Sequence, residues 1–118
     1  MSHVMGTVMA VPTAQKDAYI AMSHRLWPLF QAAGAVDWRE CWGDMVPDGE
    51  LTSFPKAVQK AEDETVVMAW IEFRDKASAE ACMEAMDSAP EWQTAFADGI
   101  PFDGKRMIWG LFDVVARP

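Results

Sequence analysis

The sequence predicts an α+β fold in which helices cover one face of a four-stranded antiparallel sheet. Four segments rich in β-branched and aromatic residues have strand spacing, and two segments between them have apolar residues at helical spacing. Their order is strand, helix, strand, strand, helix, strand, which is the ferredoxin-like β-α-β-β-α-β arrangement. At 118 residues the chain suits one domain, residues 1–118, and is too short for two.

The first strand, residues 3–11, is followed by the longer of the two helices. Thr13 stands where the side-chain cap of this helix belongs. Pro28 is expected to kink or split the helix, because its ring clashes with the preceding turn and one hydrogen bond is lost. Gly34 suits the residue just beyond the helix end. The apolar face of the helix is predicted to consist of Tyr19, Met22, Leu26, Leu29 and Ala33.

The second strand, residues 35–43, alternates in character, so its two faces should differ. It leads into a long connection, residues 44–63, with an early Pro-Asp-Gly turn and an expected helical turn around residues 56–60. Connections of this length are uncommon in compact domains and are often functional. One face of the strand is predicted to carry Val36, Trp38, Glu40 and Trp42, and the other Asp37, Arg39 and Cys41.

The third strand, residues 64–73, is apolar at nearly every position. Asp75 is then placed to cap a helix over residues 76–87, because its side chain can accept a hydrogen bond from a backbone N–H of the first turn. The buried side of this helix is predicted to consist of Ala79, Cys82, Met83 and Met86.

A short third helix and a last strand complete the chain. Ser88 and Glu91 have the spacing of a capping box for this helix, and Gly99 is expected to end it. The last strand is predicted over residues 105–115. In the turn that precedes it, the charged side chains are expected to tie the turn to a neighbouring loop; they are Asp103, Lys105 and Arg106.

The charge of the chain restricts its partners. Eighteen acidic and ten basic residues give a formal net charge of −8, and the basic residues are scattered, so phosphate backbones would be repelled. We expect no nucleic-acid partner and no membrane partner. The N-terminus shows no signal-peptide pattern, and no apolar stretch reaches the ~18 residues of a membrane helix. Cys41 and Cys82 could form one disulfide, but free buried thiols of a cytoplasmic protein are the favoured expectation.

Both faces of the predicted sheet are apolar, although two helices can cover only one of them. If about 400 Å² of apolar surface on the second face met water, about 10 kcal/mol would be lost at ~25 cal/mol/Å², which rivals the stability of a small domain. A second copy of the chain, packed sheet face to sheet face, would cover it. The alternative is that residues 44–63 fold back over this face.

Three strings resemble a known family. They are DWRECWGDMVPDGELTSFPKAV (37–58), ETVVMAWIEF (64–73) and MIWGLFDV (107–114), the last introduced by PFDGKR. They are similar to the YbaA-like family of uncharacterised bacterial proteins, and the similarity spans nearly the whole chain. Leu111 departs from the family pattern, which has a second glycine after Gly110. This departure concerns only how closely the backbone packs there.

The resemblance implies a dimeric α/β barrel, in which ferredoxin-like subunits pair through their sheets. The wider superfamily includes cofactor-free monooxygenases, isomerases of small aromatic or lactone compounds, and stress-response proteins. The family itself carries no established reaction, and a shared fold does not supply one.

Three side chains are candidates for catalysis. His24 is the only histidine outside an N-terminus expected to be flexible, and histidine changes charge near neutral pH. Glu40 shares a strand face with two indoles, which would desolvate its carboxylate and suit it to acid–base work. Lys56, with Ser53 and Phe54, could form the lip of a pocket for an anionic molecule. Each also has a structural interpretation: an exposed helix position, an edge-strand charge, and a segment crossing between two subunits.

Four tryptophans are candidates for a hydrophobic cleft, although tryptophans at strand spacing are more often core or interface residues. No phosphate-binding loop, metal cluster or nucleophile–base motif is visible, so no cofactor and no metal are expected. The four are Trp38, Trp42, Trp70 and Trp109.

Three functions follow from this pattern. The first is a homodimer that binds a small molecule between sheet and helices. The second is a cofactor-free enzyme, of monooxygenase or isomerase type, acting on a small apolar or aromatic compound. The third is a non-catalytic assembly module. An open pocket of about 300 Å³ or more would favour binding, and a filled one would favour assembly alone.

Overall fold

The computed structural model describes residues 2–118, and it confirms the α+β, ferredoxin-like arrangement. The four strands form one antiparallel sheet in the order β2-β3-β1-β4. The strands are β1 (His3–Pro12), β2 (Ala35–Trp42), β3 (Glu64–Phe73) and β4 (Ile108–Asp113), and the helices are α1 (Lys16–Ala32), α2 (Phe54–Ala57), α3 (Lys76–Ser88) and α4 (Pro90–Ala95). None of the helices in residues 2–118 is long and apolar enough to cross a membrane.

The main core lies between one face of the sheet and helices α1, α3 and α4. Alternate residues of β1 and β3 point into it, as the period of two in a strand requires. α1 contributes a buried stripe at helical spacing, largely the predicted one, and α4 inserts Trp92 against Phe30, with ring centroids 4.9 Å apart. The buried residues of this core include Met5, Met9, Val11, Tyr19, Met22, Leu26, Val67, Ile71, Phe73, Ala79 and Cys82.

The opposite side of the sheet, which we call the open face, is not covered by α1, α3 or α4. Its apolar residues and glycines are Val4, Gly6, Val8 and Ala10 of β1, Val66, Met68 and Trp70 of β3, and Ile108, Gly110 and Phe112 of β4. Toward the β2 edge the same face carries Glu72 of β3 and Asp37, Arg39 and Cys41 of β2. The connection covers one end, where fully buried Val58 packs with Ala10 and Val66. The alternative prediction, that residues 44–63 fold back over this face, therefore holds only at that end, since Met68, Ile108 and Phe112 stay exposed.

One expectation for α1 is wrong, and another is excluded in one of its two forms. Thr13 does not cap the helix; it begins a 3₁₀ turn, Thr13–Gln15, without a side-chain capping bond, and its hydroxyl pairs with the Thr65 hydroxyl at 2.7 Å. This cross-strand partner competes with the cap, so α1 begins later, at Lys16. Of the kink or split expected at Pro28, the split is excluded, because the helix continues through Pro28 to Ala32. Gly34 follows the helix end with φ +107°, as predicted.

The second strand departs from simple alternation. Ala35 pairs with Phe73 and Asp37 with Glu72 across a register shift, so Val36 is an extra residue in the manner of a β-bulge. It is exposed and does not share a face with Trp38, contrary to prediction. The alternation from Trp38 to Trp42 agrees with the prediction.

Three boundaries also differ. The capping box before α4 is wrong, because Ser88 belongs to α3 and its hydroxyl donates to the Glu84 carbonyl. The last strand begins at Ile108 rather than at residue 105, because Gly104–Arg106 form a 3₁₀ turn. The helical turn of the connection lies at Phe54–Ala57, slightly earlier than predicted, where the Ser53 side chain caps it. The Asp75 cap of α3 is confirmed by its bond from the Ser78 N–H, 2.8 Å.

Candidate functional site

A cavity of about 570 Å³ lies between the core face of the sheet and the helices. Its floor is a row of four residues, one from each strand. Strand register places Glu40 of β2 beside Ala69 of β3, Ala69 beside Thr7 of β1, and Thr7 beside Trp109 of β4. The two central residues are small, so the floor is low in the middle. This explains why the side chains above do not fill the space.

The walls and roof of the cavity are apolar and rich in methionine. α1 supplies its inner face, α3 supplies two methionines and Asp87 at its end, and the segment from Phe96 to Met107 closes one side. Flexible, polarizable thioethers and aromatic rings adapt to ligands of varied outline. The methionines that line the cavity are Met5, Met9, Met22, Met83, Met86 and Met107.

Glu40 is the polar centre of the cavity. The buried Tyr19 hydroxyl donates to its Oε1 at 2.6 Å, and the Trp38 indole N–H donates to its Oε2 at 3.1 Å. Burial, and then the negative charge of Glu40, raise the pKa of Tyr19 above its ordinary value of 10.0. Tyr19 is therefore a neutral donor at physiological pH, and two neutral donors hold the carboxylate in place.

Two rings of α1 hold Trp38. Trp27 stacks on it with centroids 5.3 Å apart and an interplanar angle of 16°, and His24 meets it edge to face at 5.2 Å. His24 is exposed and does not line the cavity. Its place is beside the residue that orients Glu40. The other histidine, His3, is part of β1 rather than of a flexible end; it is buried, with Nδ1 3.0 Å from Asp113 Oδ1.

The remaining tryptophan candidates are spread over three places. Trp109 forms the exposed edge of the cavity floor. Trp42 lies two residues beyond Glu40 on β2, under the Lys16 ammonium, 5.3 Å from the ring centroid. Trp70 pairs with Gly6 and Arg39, and this register places its side chain on the open face, away from Trp38, although the residue itself borders the cavity.

The candidates in the connection lie outside the cavity. Ser53 caps α2 by accepting the Lys56 N–H at 3.1 Å. The Lys56 ammonium donates to the backbone carbonyl of Glu50, and the Phe54 ring is partly exposed. Ser53 and Lys56 thus order the connection locally. Within residues 2–118, no group of three or more His, Cys, Asp or Glu side chains could hold a metal ion, and Cys41 and Cys82 are free.

Sequence reasoning found Glu40 and Trp38 but missed the role of Tyr19. Its helical spacing with Met22 and Leu26 predicted a core residue, and it is buried as predicted. The signal that could have singled it out is its hydroxyl, since a buried tyrosine usually finds a hydrogen-bond partner. Thr7 and Ala69 carried no signal of their own, because their importance comes from their small size opposite each other.

Comparison with known proteins places the chain in a family. The sequence model of a family described as "Protein of unknown function (DUF1428)" matches residues 2–104. The uncharacterized protein YbaA of Escherichia coli strain K12 is 44% identical over 115 residues, which cover 98% of this chain and 97% of that protein. The same values hold for YbaA of Shigella flexneri. The predicted resemblance is thereby confirmed.

Solved structures share the fold at low identity. A dimeric ferredoxin-like protein from an uncultured marine organism aligns with a TM-score of 0.59 and 12% identity, over 99% of this chain and 98% of that one. A dimeric ferredoxin-like protein of unknown function from Jannaschia sp. CCS1 aligns with a TM-score of 0.54 and 19% identity, over 95% and 99%. The sheet order and these similarities agree on a ferredoxin-like fold, and the chain belongs to the DUF1428 family of proteins of unknown function.

Proposed function

We propose that this protein is a homodimer that binds a small, largely apolar molecule in the cavity of each chain. The observation that carries the proposal is the cavity itself. At about 570 Å³ it falls within the ~300–1,000 Å³ range of ligand pockets, which are typically apolar with a few fixed polar groups. The Glu40 carboxylate, held by Tyr19 and Trp38, is such a group.

An assembly module without a ligand is less well supported. Such a module would be more stable with a filled core, because the atoms that line an empty apolar space lose van der Waals contacts. Here two small residues, Thr7 and Ala69, occupy the centre of the floor, and the methionines above them leave the space open. Glu40 favours a second candidate, a cofactor-free enzyme, because a carboxylate fixed inside an apolar cavity is suited to accept a proton from a bound molecule.

The open face supports the homodimer. Phe112 is 58% exposed, and its ring lies over the Gly6–Gly110 pair. A Cβ atom added to Gly6 would be 3.5 Å from the ring, and one added to Gly110 would be 3.2 Å from it. Side chains of this size on one sheet face form a patch that monomers rarely expose. A second copy packed open face to open face would bury it. Three of the similar solved structures are described as dimeric.

The proposed setting is the cytoplasm, because the free Cys41 and Cys82 fit a reducing compartment. We propose no nucleic-acid partner, because the net charge of −8 repels phosphate backbones.

The binding proposal is tested by a thermal-shift screen with small aromatic and aliphatic compounds, followed by calorimetric titration of each hit. Ala69→Leu adds bulk at the centre of the cavity floor and is expected to abolish binding. Ala77→Leu makes the same change at an exposed site of α3 and should leave it intact. The proposal is wrong if hits bind both variants equally, or if no compound stabilises the wild-type protein.

A further inference from the structure

We infer that the cavity takes a cationic ligand: a protonated amine, or a related nitrogen base, on a flat apolar body, with the cation beside Glu40. This inference rests on the proposed function, because it assumes that the cavity is a binding site. It adds the charge and chemical class of the molecule that would occupy it.

The charges around the cavity carry the inference. Among the lining residues that the structure describes there are two carboxylates, Glu40 and Asp87, and no lysine, arginine or histidine. Asp87 is exposed at the end of α3, whereas Glu40 stands on the floor. The potential of such a site is negative, which attracts cations and repels carboxylates and phosphates.

Glu40 lacks a cationic partner within residues 2–118. The arginines that form ion pairs do so elsewhere, with Asp37, Glu64, Asp103 and Glu72. Lys16 lies over the Trp42 ring and forms no ion pair with Glu40. Both oxygens of Glu40 accept from neutral donors, the Tyr19 hydroxyl and the Trp38 indole. Hydrogen bonds from neutral groups orient the carboxylate but leave its charge uncompensated, which is costly in an apolar site.

The surroundings of Glu40 suit an organic cation. The aromatic residues lining the cavity include Tyr19, Trp38, Phe96, Phe102 and Trp109. The Tyr19 and Phe102 rings meet edge to face at 5.9 Å. Aromatic faces attract ammonium groups, and more strongly where water is excluded. A bare metal ion is a poorer match, since the site offers one carboxylate and thioethers rather than a shell of oxygen ligands.

Three probes with the same ring test the inference: 1-naphthylmethylamine, which is a cation at neutral pH, 1-naphthylmethanol, which is neutral, and 1-naphthoate, which is an anion. Their affinities are measured by calorimetric titration of the wild-type protein, Glu40→Gln and Glu50→Gln. Glu50 is an exposed residue of the connection outside the cavity, so its variant controls for the loss of one negative charge.

We expect the wild-type protein to bind the amine at least about tenfold more tightly than the alcohol, because one partly desolvated ion pair contributes about that much. The naphthoate should bind most weakly of the three. Glu40→Gln should remove the preference for the amine, while its affinity for the alcohol stays within about threefold; Glu50→Gln should retain the preference.

Equal binding of the amine and the alcohol by the wild-type protein would overturn the inference but not the proposal that the cavity is a binding site. This comparison uses the wild-type protein alone, so it does not depend on whether a variant folds. An amine preference that survives in a folded Glu40→Gln protein would also overturn it. If none of the probes binds and the wider screen also yields no ligand, the proposed function itself fails.

Discussion

Arg106, in the turn before β4, binds Glu64, the first residue of β3, through two parallel hydrogen bonds: Nη1 to Oε1 at 2.8 Å and Nη2 to Oε2 at 2.6 Å. Arg106 Nη1 also donates to the Gln59 carbonyl at 2.8 Å, and Nε to Asp103 Oδ2 at 3.0 Å. One guanidinium thus joins the turn, the end of the connection and a central strand. The expectation that this charged turn is tied to a neighbouring loop is confirmed for Arg106, whereas Asp103 accepts only from Lys105 and Arg106 of the same turn.

The first prediction concerns the pH dependence of stability through Glu64. Its hydrogen bonds from Arg106, more than any other cause, lower the pKa of this buried carboxyl from 4.5 to about 2. Because the folded pKa lies below the unfolded one, the stabilisation is complete above pH 4.5 and is lost as the pH falls towards 2. Urea unfolding of wild type and Glu64→Gln should therefore differ most near neutral pH and converge in acid.

The control for this experiment is Glu62→Gln, at an exposed position two residues away. Its free energy of unfolding should follow the wild-type curve at every pH. A constant gap between wild type and Glu64→Gln from neutral pH to pH 3 would show that the ion pair does not set the acid response.

The second prediction concerns thiol reactivity. Burial raises the pKa of the Cys82 thiol from 9.0 to about 11, so little thiolate forms near pH 8. In a Cys41→Ser protein, labelling of Cys82 by a disulfide reagent should be at least about 100-fold slower in the native state than in urea, because the thiolate is the reactive form. Absorbance of the released thiol measures the rate. Similar native and unfolded rates would contradict the burial of this side chain.

The third prediction contrasts two tryptophans. Trp92 is 2% exposed in the core against Phe30, whereas Trp109 is 57% exposed at the cavity edge. We expect Trp92→Ala to lower the free energy of unfolding by about 3–5 kcal/mol, and Trp109→Ala by less than about 1 kcal/mol. Urea unfolding at one fixed protein concentration measures both, since dimerisation makes stability depend on concentration. Equal losses would place Trp109 in the core.

The fourth prediction tests the dimer through Phe112. Phe112→Lys places a charge on the open face, where the Phe112 ring lies over Gly6 of the central strand β1, and should weaken self-association by at least about 30-fold, the effect of losing an interface hot spot. Sedimentation equilibrium gives the dissociation constants. Ile20→Lys makes the same change on α1, where Ile20 is 40% exposed, and should leave the dimer intact. A wild-type protein that is monomeric at micromolar concentration would refute the dimer.

Much of the fold was predictable because its signals are local. The stripe of α1, the alternation of β2 beyond its bulge and the Asp75 cap each involve residues within a few positions of one another, and the structure agrees with them. The misplaced Thr13 shows where such reasoning fails. Its hydroxyl could cap a helix or bond to a residue of the neighbouring strand. The second bond forms because the fold places the Thr65 hydroxyl beside it.

The candidate site was only partly predictable for the same reason. Trp38 and Glu40 share a strand face by sequence, but Tyr19 comes from a helix 21 positions away. Lys56 and Ser53, which sequence alone grouped with the site, order the connection instead. Nothing local distinguishes a lysine that binds a ligand from one that satisfies backbone carbonyls.

The sequence by itself determined the order of the elements, the apolar character of both sheet faces and the family, because periodicity and motif strings are properties of neighbouring residues. Only the tertiary structure decided that Glu40, Ala69, Thr7 and Trp109 form one row, that the space above them stays open, and that Val58 covers just one end of the open face. Strand register and loop placement minimise the free energy of the whole chain at once, so contacts between distant residues emerge only when all elements are packed together.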